Sequence, residues 1–136
     1  MISIDPLTQL NNRNRMEQHL FECVRSQDLN MYLLVLDVNR FKKINDEHGH
    51  AQGDLALKAI ANCLKESCIE KSDFIARYGG DEFVIVYKGN DVKGFCQRIH
   101  AYIKKLSFPF DLEGSIGWGP YHKDIHKWND WFIEDD

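Results

Sequence analysis

Several features that define broad classes of protein are missing from this sequence. Its 136 residues contain no run near the ~20 apolar residues of a membrane span, and no basic-then-apolar secretory pattern opens the chain. The 17 basic residues are outnumbered by 21 acidic ones, which gives a net charge of −4 and no basic run for a nucleic-acid backbone. We therefore expect one soluble domain, residues 1–136, that binds neither nucleic acid nor membrane.

The cysteine spacing of the common metal fingers is also missing. The sequence has four cysteines and no CxxC pair. Each lies in an apolar, helix-like segment, which predicts reduced thiols in a core: Cys23, Cys63, Cys68 and Cys96. Reduced thiols favour a cytoplasmic location, although the full-length protein could be tethered to a membrane.

What the sequence does contain is a regular succession of apolar segments. Helical spacing predicts a first helix around Met16 and Leu20, and residues 31–38 form a continuous apolar run typical of a buried strand. A second helix is expected from near Gly53, and a third helix and a last strand follow the segments "DFIARY" and "EFVIVY". Those two segments read as strands joined by glycines that permit positive φ.

This order, a helix followed by β-α-β-β-α-β, predicts an α+β protein of the ferredoxin-like class. We expect an antiparallel sheet with flanking helices on one of its faces. The aromatic and charged tail, residues 119–136, shows no closing helix of useful length.

Three acidic residues stand where the apolar pattern predicts strand ends and a turn. Asp37 closes the first strand, whereas Asp81 and Glu82 follow the two glycines of the hairpin. In a ferredoxin-like sheet these segments are neighbours, so the carboxylates should meet and raise one another's pKa. A divalent, oxygen-seeking cation such as Mg²⁺ would relieve that conflict, and two such ions can support phosphoryl or nucleotidyl transfer. The alternative is that each acid lies solvated in a turn.

The connection after Asp37 carries further polar side chains. Lys42 is near enough in sequence to meet a phosphate, and Asn45, His50 and Asp54 carry groups that could bind a purine edge. Each could equally be a solvated loop residue. The "HGH" sequence ending at His50 could chelate zinc, but no further ligand completes such a site.

Three linked motifs resemble those of the GGDEF family of diguanylate cyclases. They are "DPLTQLNNR", "LDVNRFKKINDEHGHAQGD" and "RYGGDEF", and the resemblance extends from about Asp5 to Trp118. It implies a palm-type nucleotide cyclase fold that condenses two GTP molecules into cyclic di-GMP and releases two pyrophosphates. It also implies one GTP per domain, two domains facing each other as a homodimer, and an upstream sensory domain in the full-length protein.

The resemblance implies a metal site made by the acids. Asp37 and the backbone carbonyl of Val38 would hold Mg²⁺ or Mn²⁺, with two ions in each active site. Asp81 would be a shared ligand and the candidate base for the 3′-hydroxyl group, and Glu82 would support the metal site.

The same resemblance implies substrate contacts. Lys42 would meet phosphate, Asn45 and Asp54 would bind guanine, and His50 lies where the family contacts substrate. The Gly79-Gly80 pair would let the backbone approach the nucleotide closely.

Two departures from the family pattern stand out. In the inhibitory product site, an RxxD motif, Glu70 replaces the arginine while Asp73 is kept, which predicts no feedback inhibition through this site. The family also closes with a helix whose basic residues touch the triphosphate. Because the sequence ends at Asp136, about where that helix should begin, the chain is interpreted as a fragment lacking it.

Two rival functions remain open from sequence. The first is a GGDEF-type module that binds GTP and regulates a partner with weak catalysis or none. The second is a ferredoxin-like RNA binder, which would need exposed aromatic residues on the sheet and a basic surface. The intact set of acids favours the enzyme.

Overall fold

The computed structural model describes residues 3–69 and 71–134. In chain order its elements are α1 (Arg13–Ser26), β1 (Met31–Val38), α2 (Phe41–His48), α3 (His50–Ser67), β2 (Phe74–Arg77), β3 (Glu82–Lys88), α4 (Val92–Lys104), β4 (Gly114–Pro120) and α5 (Trp128–Glu134). Within these described ranges, no helix is both long and apolar enough to cross a membrane.

The four strands form an antiparallel sheet in the order β2-β3-β1-β4. This is the strand order of a ferredoxin-like fold, so the predicted α+β class is confirmed. The apolar run of β1 fits its central place, because a strand with neighbours on both sides is covered on both faces. Its register sets Asp37 opposite Glu82 on β3 and opposite Ser115 on β4.

Helices cover both faces of the sheet, so the expectation of helices on one face is wrong. On the first face, Leu34 and Leu36 of β1 pack with α3 and α4 in one buried cluster. On the second face, Met31 and Leu33 pack with α1 and α5 in another cluster. Both clusters include residues of β1 because alternate residues of a strand point to opposite faces. The layer formed by α1 and α5 is an addition to the β-α-β-β-α-β pattern, which accounts only for helices on the first face.

The second helix begins earlier than predicted and is preceded by another helix. Gly49 has φ of 89° and separates α2 from α3, which starts at His50 rather than near Gly53. Gly53 lies inside α3, where a Cβ atom would come within van der Waals overlap of the Asn45 side chain. Gly53, which the sequence suggested as the start of a helix, therefore lies where α2 and α3 pack closely together.

The tail also differs from its prediction, because it contains the short helix α5. Trp131 on this helix is fully buried, and its indole Nε1 donates a hydrogen bond of 3.1 Å to the carbonyl of Gly119. The ring packs edge-on against Tyr121 with centroids 5.4 Å apart. The tail therefore closes the second face of the sheet.

Candidate functional site

The three acids lie together at one end of the sheet. Asp37 and Glu82 are directly paired across β1 and β3, and the backbone amide of Val38 donates to the carbonyl of Asp81 at 3.1 Å. Val84, two residues after Glu82, is buried in the α1/α5 cluster. Since side chains alternate along a strand, Glu82 and its partner Asp37 project toward that same face.

The acids affect one another electrostatically. Desolvation raises the pKa of Asp37, and the negative charge of Asp81 raises it further, whereas a hydrogen bond with Glu82 lowers it. Desolvation likewise raises the pKa of Glu82, as do the charges of Asp37 and Asp81 and the hydrogen bond with Asp37, while the charge of Arg13 lowers it. The arrangement stores repulsion that a cation would relieve.

The acids do not form a complete metal cage by themselves. Across residues 3–69 and 71–134, no three His, Cys, Asp or Glu side chains are placed closely enough to hold an ion. Mg²⁺ commonly binds through one or two carboxylates and takes its other ligands from water and substrate phosphates. The paired oxygen donors of Asp37 and Glu82, with Asp81 and a strand-end carbonyl nearby, fit that incomplete coordination.

Sequence reasoning assigned no role to Arg77, which holds the glycine turn in shape. Its Nε donates to the carbonyls of Gly79 at 3.1 Å and Gly80 at 3.2 Å, and its Nη2 donates to Gly80 at 2.8 Å. Its Nη1 pairs with the carboxylate of Asp5 at 3.2 Å. The sequence did offer one indication of this role, because Arg77 stands two residues before the glycines and arginine can donate to several carbonyls of a tight turn at once.

Asp5 is in turn fixed by its own neighbours. Its Oδ2 accepts from the backbone amide of Thr8 at 2.9 Å and from the Thr8 hydroxyl at 2.7 Å. Burial alone would raise the pKa of Asp5, but the Thr8 hydrogen bonds and the charge and hydrogen bond of Arg77 bring it below its ordinary value. Asp5 therefore stays ionised and anchors Arg77 beneath the turn.

The two glycines of the turn do not adopt the positive φ that glycine permits. Gly49 has positive φ, whereas Gly79 and Gly80 do not, so a left-handed backbone is not the reason for glycine there. A Cβ atom at Gly79 would lie 3.2 Å from Oε1 of Glu82, while one at Gly80 would meet nothing within 4 Å. The fold therefore does not require glycine at position 80, and the space beside it leaves room for a ligand to approach the backbone.

A second polar site lies between α2 and α3. The Oδ1 atom of Asn45 is buried and lacks a hydrogen-bond partner among the described residues, and it packs against Gly53 next to Asp54. A buried acceptor without a partner is destabilising unless a ligand or water satisfies it. The structure thus brings Asn45 close to the α3 segment that carries Asp54. The buried Oδ1 atom of Asn45 between the two helices has no hydrogen-bond donor among the described residues.

The two remaining residues predicted to contact substrate are exposed. Lys42 lies in the first turn of α2 and His50 begins α3. Within the described part of the chain, neither side chain makes a hydrogen bond or an ion pair. Both side chains are therefore exposed to solvent, and the structure shows neither one in contact with the acids.

The prediction that feedback inhibition is absent depends on Glu70, which lies outside the described residues. Asp73 has a structural role: its Oδ2 accepts from the amide of Ile69 and its Oδ1 from the amide of Lys88, both at 2.9 Å. The absence of product inhibition through this region stays a prediction. Replacing Asp73 would test it poorly, because the substitution also removes two backbone hydrogen bonds.

Comparison with known proteins identifies the family. The family model described as "Diguanylate cyclase, GGDEF domain" matches residues 2–136. The chain is 38% identical over 115 residues to diguanylate cyclase DgcP of Pseudomonas aeruginosa strain PAO1, an alignment that covers 80% of this chain and 17% of the relative. It is 30% identical over 141 residues to the probable diguanylate cyclase DgcC of Escherichia coli K12, covering 96% of this chain and 38% of that protein. The chain thus spans less than two fifths of the length of either relative.

Solved structures agree with this result. Diguanylate cyclase SiaD of Pseudomonas aeruginosa, solved in complex with its activator SiaC, superposes with a TM-score of 0.89 at 26% identity. That match covers 98% of this chain and 55% of the SiaD chain. The profile over nearly every residue, the relatives and the sheet topology agree, and this chain belongs to the GGDEF domain family.

Proposed function

We propose that this chain is the catalytic domain of a diguanylate cyclase, which condenses two GTP molecules into cyclic di-GMP and two pyrophosphates. The observation that carries the proposal is the pairing of Asp37 with Glu82 beside Asp81, at a turn whose Gly80 has open space above it. This combination offers oxygen ligands for a cation and room for a phosphate at the same place.

The substrate base is proposed to bind between α2 and α3. Guanine presents an N1–H donor and an amino group side by side, and the buried Oδ1 of Asn45 is an acceptor that lacks a partner in the described structure. Asp54, exposed on α3 next to Gly53, can accept from the same edge. Lys42, which is exposed, is proposed to contact the phosphates, and the exposed His50 is proposed to contact the rest of the substrate.

GGDEF diguanylate cyclases are generally metal-dependent, and Asp37, the Val38 carbonyl, Asp81 and Glu82 are the proposed ligands for two Mg²⁺ or Mn²⁺ ions. When bound, such ions neutralise phosphate charge and lower the pKa of an attacking oxygen. The residues of this chain position the reactants. The 3′-oxygen of one GTP attacks the α-phosphorus of the other, the bond to pyrophosphate breaks, and Asp81 is the proposed acceptor of the 3′-hydroxyl proton.

Two copies are needed for this chemistry, because each domain is proposed to hold one GTP. We therefore propose a homodimer as the active form, with an upstream sensory domain bringing the copies together in the full-length protein. Since the proposed substrate is GTP and the four cysteines form no disulfide bond, the cytoplasm is the proposed location.

The direct test is product formation by the purified chain. Incubation at high protein concentration with GTP and Mg²⁺ should yield cyclic di-GMP, detected by mass spectrometry, with a rate that rises more than linearly with protein concentration. GTP binding without product, in this chain and in a longer one, would contradict the enzyme and support a regulatory GTP-binding module. Product formation without added divalent metal would contradict the proposed ligands.

Gly80 gives a sharper test of the turn. Gly80→Ala should fold normally, because the added Cβ meets no atom within 4 Å, yet it should reduce turnover by roughly 10–10²-fold through displacement of the phosphate. Gly49→Ala is the matched control, since it adds the same atom where φ is 89° and should lower stability instead. Equal turnover of Gly80→Ala and the unsubstituted chain would show that no ligand approaches position 80.

A further inference from the structure

A cleft of about 310 Å³ lies beside the glycine turn and holds two arginines. Gly79, Gly80, Tyr78, Arg77 and Arg13 all contribute to its walls. Oε1 of Glu82 is 3.2 Å from the position that a Cβ atom of Gly79 would occupy. The side chain of Glu82, one of the three acids, therefore lies beside a wall of the cleft.

The two arginines differ in what their donors do. Arg77 is committed to the fold, because Nε, Nη1 and Nη2 all bond to Gly79, Gly80 or Asp5 and only 18% of its side chain is exposed. Arg13 is 56% exposed, and its Nε forms an exposed ion pair with Oε1 of Glu17 at 3.8 Å, a distance that is too long for a hydrogen bond. Arg13 thus keeps its donor groups available at the edge of the cleft.

The position of Arg13 is nevertheless restricted. Its guanidinium carbon lies 4.6 Å from the centre of the Tyr78 ring, a cation–π contact that holds the planar group against the residue before Gly79. Tyr78 is packed in turn against Phe132, with ring centroids 5.3 Å apart. Arg13 is also near enough to Glu82 for its charge to act on that carboxylate.

Charge balance explains why a cation at this place matters. A nucleotide phosphate chain beside three carboxylates is repelled unless positive charge stands on its other side. The guanidinium group binds phosphate through two parallel N–H···O bonds, and it stays charged at every physiological pH. Arg13 is the arginine of this cleft whose donors the fold leaves open.

We propose that Arg13 binds the phosphate chain of the guanine nucleotide held at the acidic site, with Tyr78 keeping its guanidinium group at the mouth of the cleft. This inference rests on the proposed function and adds a substrate-binding residue from α1. The α-helix that covers the second face of the sheet thereby contributes directly to the site.

Nucleotide binding tests the proposal without relying on turnover. The ligands are GMP and a GTP analogue with a methylene group between its α- and β-phosphorus atoms, which cannot be cyclised, and both are titrated calorimetrically with Mg²⁺ present. Arg13→Gln should weaken binding of the analogue by roughly tenfold or more, whereas GMP affinity should change less than about twofold. Arg13→Lys, which keeps the charge but loses the two-pronged geometry, should lie between.

Arg15→Gln is the matched control. It removes the same charge from the same helix, but Arg15 lies 5.9 Å from the Phe74 ring and lines a different cleft. Three results would each overturn the inference while leaving the proposed function intact. They are an unchanged analogue affinity in Arg13→Gln, an equal loss of GMP affinity in Arg13→Gln, and an equal loss of analogue affinity in Arg15→Gln. Failure of the unsubstituted chain to bind either nucleotide would overturn both.

Discussion

Asp37→Ala should reduce cyclic di-GMP formation by about 10²-fold or more, because it removes a proposed metal ligand at the centre of the acidic site. The measurement is initial rate against Mg²⁺ concentration at saturating GTP. High Mg²⁺ should recover part of the activity, since the remaining carboxylates still offer oxygen ligands. A rate near that of the unsubstituted chain would exclude Asp37 from the metal site.

Stability separates this effect from unfolding. The folded structure raises the pKa of Asp37, so the ionised carboxylate destabilises the fold above that pKa. Asp37→Ala should therefore melt at the same temperature as the unsubstituted chain or higher at neutral pH, and the difference should shrink toward about pH 3, where the carboxylate is protonated in both states. The control is Asp124→Ala, which removes an acid that is 84% exposed in the tail and should alter neither quantity.

Trp131→Ala should lower the free energy of unfolding by about 3–5 kcal/mol. The indole is fully buried in the α1/α5 cluster, so its loss removes packing, leaves a cavity and breaks the hydrogen bond to the carbonyl of Gly119. Chemical denaturation followed by circular dichroism measures the change.

Trp128→Ala provides the comparison on the same helix. Trp128 is only partly buried, so the same truncation should have a clearly smaller effect on the free energy of unfolding. Equal effects at the two positions would contradict the view that α5 is anchored through Trp131. A loss below about 1 kcal/mol at Trp131 would mean that the tail contributes little to the domain.

The parts of the fold that sequence predicted are those set by local apolar periodicity. The unbroken run of β1 and the helical stripe through Met16 and Leu20 identify their elements without knowledge of the rest of the chain. The convergence of Asp37 with Asp81 and Glu82 was expected from the same information, because the strand order fixes which strand ends meet; the direct pairing of Asp37 with Glu82 comes from the structure.

The parts that sequence did not predict depend on contacts between distant residues. Gly53 resembles a helix start, and only its contact with Asn45 shows that it packs inside α3. In the sequence, Trp131 looks like one of several aromatic residues in a polar tail. Only the structure shows that Tyr121 and β4 surround its ring. Arg77 also pairs with Asp5, and no local pattern around the glycines indicated that long-range contact.

The support of the glycine turn by Arg77 and Asp5 has a consequence for how the domain folds. The two residues are 72 positions apart, and a contact of that span closes a long loop, which is slow and entropically unfavourable early in folding. The β2–β3 hairpin can form locally, but its turn reaches its final shape only after the N-terminal segment has docked. We therefore expect the proposed nucleotide site to be among the last regions of the domain to reach its final structure, so that partly folded molecules carry their acids on a turn that is not yet fixed.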